Sequence, residues 1–217
     1  MKPLSNHIRE VKHEIPVKKQ IIGSVGILIF GILLGTVSKY LDDQQAGLPV
    51  FLAMLEEQFD FHNFLGRFAP WIFIAVCISV TSKSPKRAAI NVFLFFVGMV
   101  SSYYLYSKYV AGFFPKSYAL LWVCFTIASP FLAFICWYAK GTGKVAVVIS
   151  AGIIGVLFNT TFAYGLFYFD LRYVPELVIL LIAIWVLRRT WWETFIMIGV
   201  GITVAIIMNI VLPFRFW

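Results

Sequence analysis

The residues of this chain best suited to recognising a solute are amides, hydroxyls, aromatics and one pair of opposite charges. All lie inside long apolar runs or at their ends. Lys39 stands three residues before Asp42 and four before Asp43, a spacing that lets opposite charges pair on one helix face. Ser102 and Tyr104 belong to the run Ser101-Ser102-Tyr103-Tyr104, Trp122 lies further along, Asn159 and Thr161 sit in a later apolar run, and Asn209 in the last. Together Lys39, Asp42, Ser102, Tyr104, Trp122, Asn159, Thr161 and Asn209 form a candidate ligand-binding set. Few polar groups among aromatics suit a small neutral or amphipathic solute. A structural account competes at each position. Charge at a helix end can simply cap it, and an amide in lipid needs an interhelical hydrogen bond because leaving it unpaired is costly. The bias of the whole set towards one half of the bilayer is what favours a pocket.

Other chemistries lack their residues. The histidines are His7, His13 and His62, all outside the apolar runs, so an intramembrane metal site is not expected. There is no Gly-x-Ser-x-Gly, and no Ser/His pair inside the runs to serve a serine hydrolase. Glu56-Glu57 is similar to the paired glutamates of membrane prenyl proteases, but those enzymes need intramembrane histidines as well. Gly141-Thr142-Gly143-Lys144 matches only half of a phosphate loop and reads as a tight turn. No chain of acidic and basic residues runs through the membrane to relay protons. Cys77, Cys124 and Cys136 lie in apolar runs without a Cys-x-x-Cys pair and are expected as small hydrophobic packers. The expectation is a non-enzymatic protein without cofactor or metal.

The elements that must position these residues follow from composition. Of 217 residues 61% are hydrophobic, 18% aromatic and only 13% charged, and the mean hydropathy is +0.87. Soluble domains carry about 25% charged residues, so a soluble fold and a disordered chain are both excluded. The formal charge of +8 is explained below by membrane topology, and nucleic acid is not an expected partner. Charge-free runs cover 21–38, 68–82, 88–107, 117–139, 145–169, 177–187 and 194–214. A helix needs about 20 apolar residues to cross a bilayer. Five runs meet this. The second is extended by 64–67 if Arg67 snorkels outward, and the sixth by 173–176 if Glu176 sits at the interface. The predicted fold is an all-α, polytopic transmembrane helix bundle of about seven spans.

The basic residues set its orientation. With the N-terminus inside, Lys2, Arg9, Lys12, Lys18, Lys19, Lys83, Lys86, Arg87, Lys140, Lys144, Arg188 and Arg189 fall inside, which is 12 of the 18. This predicts N-terminus in and C-terminus out, and places the candidate set in the outer half. Five spans with two re-entrant segments is the alternative count. Residues 1–20 form a basic cytoplasmic segment in which Leu4, Ile8, Val11 and Ile15 recur at helical spacing. They predict either a short amphipathic helix on the anionic leaflet or a basic tail. The first apolar run is too long for a cleavable signal core. Residues 21–214 form one transmembrane domain with a long outer loop at 42–66, whose Leu48, Phe51, Leu52, Leu55 and Phe59 make an apolar stripe. Trp191 and Trp192, beside Arg188 and Arg189, are expected as interface anchors. Thr126, Ser129 and Pro130 predict a kink.

Gly31-x-x-x-Gly35 lets another backbone approach closely. It serves either packing within the chain, with Gly152 and Gly155 as a matching groove, or contact with a membrane partner subunit. Residues 31–43, with Trp71, Ser84-Pro85, Tyr103-Tyr104 and Trp122, resemble a family of small uncharacterised membrane proteins of mostly Gram-positive bacteria. The resemblance implies a multi-pass protein of the bacterial cell (inner) membrane. In architecture alone the chain is similar to the substrate-binding components of energy-coupling-factor transporters. Those have six spans and end in the cytoplasm, and their Ala-x-x-x-Ala contact is matched here only by Gly31-x-x-x-Gly35. The expected function is a small-solute transporter or substrate-capture subunit with an outward-facing site. The alternatives are a non-catalytic accessory or scaffold subunit of a larger membrane complex, or a lipid-handling enzyme.

Overall fold

The computed structural model describes residues 8–11, 16–43 and 60–211. Most of them are helical: α1 (Val17–Asp43), a single turn Phe61–Phe64, α2 (Phe68–Thr81), α3 (Pro85–Tyr109), α4 (Lys116–Trp137), a 3-10 turn Tyr138–Lys140, α5 (Gly143–Thr161), α6 (Val174–Leu187) and α7 (Trp191–Val211). Among the described residues, five helices (α1, α3, α4, α5 and α7) are long and apolar enough to cross a membrane. In lipid a backbone must satisfy its own hydrogen bonds, which is why charge-free runs become helices. The chain has the make-up of a helical integral membrane protein.

The second and sixth runs behave differently. α2 and α6 have 14 residues each, about 21 Å at 1.5 Å per residue against an apolar core of about 30 Å. The expected helical extension through 64–67 does not form. Leu65, Gly66 and Arg67 leave helical geometry, and the Trp71 indole anchors the break by donating to the Leu65 carbonyl at 2.6 Å. α6 does begin before Glu176, with Pro175 in its first turn.

The chain forms two compact units. One consists of Val11–Leu48 and Ala75–Trp137, and contains α1, α3 and α4. Its main contact is α1 on α3. A Cβ added at Gly31 would collide with the Phe95 carbonyl, one at Gly35 with the Met99 carbonyl and the Ser102 hydroxyl, and one at Gly98 would meet the Leu28 carbonyl at 2.5 Å. The Gly31/Gly35 face is therefore occupied by α3 of the same chain, and the groove that matches it is Gly98 rather than Gly152 and Gly155. The opposite side of α1, with Ile22, Ile29 and Leu33, stays exposed. α3 starts at Ser84, whose hydroxyl accepts from Arg87 N at 3.3 Å, with Pro85 next. In α4, Pro130 removes the N–H that Thr126 O would accept. The Ser129 hydroxyl donates to that same oxygen at 2.9 Å and replaces the lost bond. Cys124 is exposed on α4 rather than packed.

The other unit consists of Met1–Glu10, Pro49–Ile74 and Tyr138–Trp217. α5 and α7 cross at glycine: a Cβ on Gly155 would stand 2.7 Å from the Gly201 carbonyl. α5 ends at Thr161, well before the end of the apolar run. The Thr160 and Thr161 hydroxyls turn back to the Leu157 carbonyl at 2.8 Å each, and the chain becomes extended. A short antiparallel hairpin follows, β1 (Phe162–Tyr164) against β2 (Phe169–Leu171), in the register Phe162 to Leu171 and Tyr164 to Phe169. Apart from this hairpin the described residues are mostly helical, as the sequence predicts. Four aromatics gather at the hairpin, and the Phe162 and Phe169 rings stack 4.9 Å apart. Arg189 donates to the Gly141 carbonyl at 2.7 Å and to the Ala139 carbonyl, while Lys140 donates to the Val186 carbonyl at 2.7 Å. The Gly141–Lys144 stretch is thus a turn, in which Gly143 takes a φ of 78° that favours glycine.

The amphipathic pattern at 4–15 and the apolar stripe of the 42–66 loop lie mostly outside the described residues, as does Trp217.

Candidate functional site

The eight candidate residues divide between the two units. In the α3 unit, Lys39 and Asp42 form an ion pair, with Lys39 Nζ 2.6 Å from Asp42 Oδ2. Lys39 is only 9% exposed. The Tyr103 hydroxyl donates to the same carboxylate oxygen at 3.4 Å, and Lys39 Nζ lies 5.9 Å from the centre of the Tyr103 ring. Helix spacing brings the charges together, and the α1–α3 packing delivers the tyrosine.

Tyr104 is buried one residue further along α3. Its ring meets Tyr103 and Phe114 edge-on at 5.1 and 5.7 Å. Its hydroxyl has no hydrogen-bond partner among the described residues. Trp122 of α4 is buried as well, with Tyr118 at 6.3 Å and Phe96 at 6.4 Å between ring centres. Ser102 is used structurally: its hydroxyl donates to the Met99 carbonyl at 3.1 Å against Gly35.

In the α5 unit, Asn159 and Asn209 are linked through Tyr164, and Thr161 bonds separately to backbone carbonyls. Asn159, fully buried, donates to the Ala205 carbonyl at 3.1 Å and accepts from the Tyr164 hydroxyl at 2.6 Å. Asn209 donates to the Tyr164 carbonyl at 3.4 Å. The Thr161 hydroxyl lies 2.8 Å from the Leu157 carbonyl and 3.2 Å from that of Glu176. These groups hold the end of α5, β1 and α7 together, and protein partners occupy the polar atoms named.

A further cluster escaped the sequence reading. Glu176 is 1% exposed, buried inside the unit. Arg67 meets it within the same unit. Its Nε stands 2.8 Å from Glu176 Oε1, its Nη1 3.3 Å from Asp60 Oδ2, and its guanidinium stacks 3.7 Å from the centre of the Tyr173 ring. Asp60 takes a left-handed conformation, φ 46° and ψ 51°, and accepts from the Asn63 amide at 2.8 Å. The available signal was that the only charges interrupting the two short runs are of opposite sign. Among the described residues no group of three His, Cys, Asp or Glu side chains could hold a metal ion.

Comparison with models of protein families, with curated proteins and with solved structures finds no match.

Proposed function

We propose that this chain is a multi-pass protein of the bacterial cell membrane, N-terminus inside and C-terminus outside, that captures or transports a small neutral or amphipathic solute. The site lies at the end of the α3 unit that carries Lys39, Asp42, Tyr103 and Tyr104. One observation carries the reading: the Tyr104 hydroxyl is buried among aromatic rings with no hydrogen-bond partner among the described residues. An unpaired buried hydroxyl costs about 1–3 kcal/mol. A solute that offers an acceptor there removes that penalty, and the aromatic rings supply its apolar contact. The Lys39–Asp42 pair gives the mouth of the site a fixed dipole rather than a net charge, which suits a neutral ligand.

Native mass spectrometry of the detergent-purified chain tests this. The expected result is a co-purified small molecule that Tyr104→Phe retains about fivefold less well, the loss of one hydrogen bond. The folded protein should be unharmed or stabilised, since the change deletes an unpaired group. A stoichiometric protein partner with no solute would overturn the reading in favour of an accessory or scaffold subunit.

A further inference from the structure

A second feature lies in the same unit, among the N-terminal turns of α1 and α3 and the end of α2. It is a cleft of about 660 Å³, well within the range of small-molecule sites. Four cations line it: Lys19 from α1, Lys83 from the α2–α3 link, and Lys86 and Arg87 from the first turn of α3. No described carboxylate lines it, and none of the four pairs with a carboxylate among the described residues. Like charges lining one cleft repel one another. Ile27, Ile78 and Ile90 contribute apolar lining.

Arg87 is held firmly in the wall. Its Nη2 donates to the Gln20 carbonyl and the Ser24 hydroxyl at 2.6 Å each, and Ser24 in turn donates to Asn91 Oδ1 at 2.8 Å. Nε and Nη1 make no hydrogen bond within the described residues. The guanidinium is therefore pre-oriented by α1 while three of its five N–H donors remain uncommitted. The α3 N-terminus adds its own partial positive charge.

We propose that this cleft binds a phosphate-bearing amphiphile, the headgroup of an anionic phospholipid. The phosphate would sit among Lys83, Lys86 and Arg87, with the first acyl carbons against the isoleucines. A lining that combines cations with isoleucines matches such a molecule in both halves. Basic pockets between membrane helices take anionic headgroups in this way.

The full chain in detergent is titrated with phosphatidylglycerol, with phosphatidylcholine and with inorganic phosphate, and bound species are read by native mass spectrometry. Phosphatidylglycerol is expected to bind in preference to phosphatidylcholine. The double variant Lys83→Gln/Lys86→Gln should weaken it about tenfold or more, whereas Lys18→Gln, whose residue lies outside the cleft, should change it little. Gly23→Leu is a second variant. A Cβ there meets nothing within 4 Å, so the new side chain can fill the cleft without disturbing the helix, and it too should displace the lipid. Binding that needs the acyl chains assigns the lipid. Binding of inorganic phosphate alone, with the same loss in the double variant, assigns free phosphate to the same cations. Equal binding of the two lipids, or equal weakening by Lys18→Gln and the double variant, overturns the proposal.

Discussion

Arg67 Nε lies 2.8 Å from Glu176 Oε1, joining the residue just before α2 to the first turn of α6. Each is the charge that interrupts a short apolar run, and the two runs are far apart in sequence. Glu176 is 1% and Arg67 21% exposed at the side chain, so Glu176 has little water to fall back on. Removing one partner strands the other. Arg67→Ala is expected to destabilise the folded protein by about 3 kcal/mol, at the lower end for a buried pair because Arg67 keeps some solvent. Arg67→Leu combined with Glu176→Leu should recover most of the loss. Thermal unfolding in detergent measures both. Additive losses in the double variant would rule out the coupling.

The glycines of α1 make a graded test. Gly31→Leu or Gly35→Leu places a side chain where α3 backbone already lies. Overpacking of this kind costs about 1–3 kcal/mol or more, so both variants should lose monodisperse protein in size-exclusion chromatography. Gly26→Leu, where a Cβ meets nothing within 4 Å, should behave as the parent. Equal tolerance of all three would show that α1 does not rest on α3 through this face.

Asn159 and Tyr164 should be energetically coupled. Asn159→Ala removes bonds to Ala205 and Tyr164 and is expected to cost about 1–3 kcal/mol. Tyr164→Phe should cost about 1 kcal/mol. The double variant should fall short of the sum, since both changes delete the same 2.6 Å bond. A double-mutant cycle read by melting temperature decides it.

Ser129 and Pro130 should compensate each other. Ser129→Ala leaves Thr126 O without the hydroxyl that replaces its missing backbone donor, and should lower stability by about 1 kcal/mol. In a Pro130→Ala background the backbone N–H returns, and the same change should become nearly silent. An unchanged penalty would mean that the hydroxyl does something else.

The proposed orientation predicts that a reporter fused after Trp217 is active outside the cytosol. Activity in the cytosol would invert the final segment and remove the outer location of the Tyr104 site.

Several features were legible in the residues alone. Charge-free runs long enough for a bilayer became α1, α3, α4, α5 and α7, because a chain in lipid has no other donor or acceptor for its backbone. The Lys39–Asp42 pair followed from helical spacing, which fixes local neighbours whatever the rest of the chain does. Tertiary structure decided what distant neighbours decide. The glycines on α1 announced a close approach, but only packing selected Gly98 on α3 as the groove. Apolarity carried helix five on to residue 169, yet the Thr160 and Thr161 hydroxyls turned back to Leu157 and the aromatics closed a hairpin. Arg67 and Glu176 read separately as charges bound for water. They stay inside because each meets the other, and an attraction between residues so far apart in sequence exists only once the chain has folded.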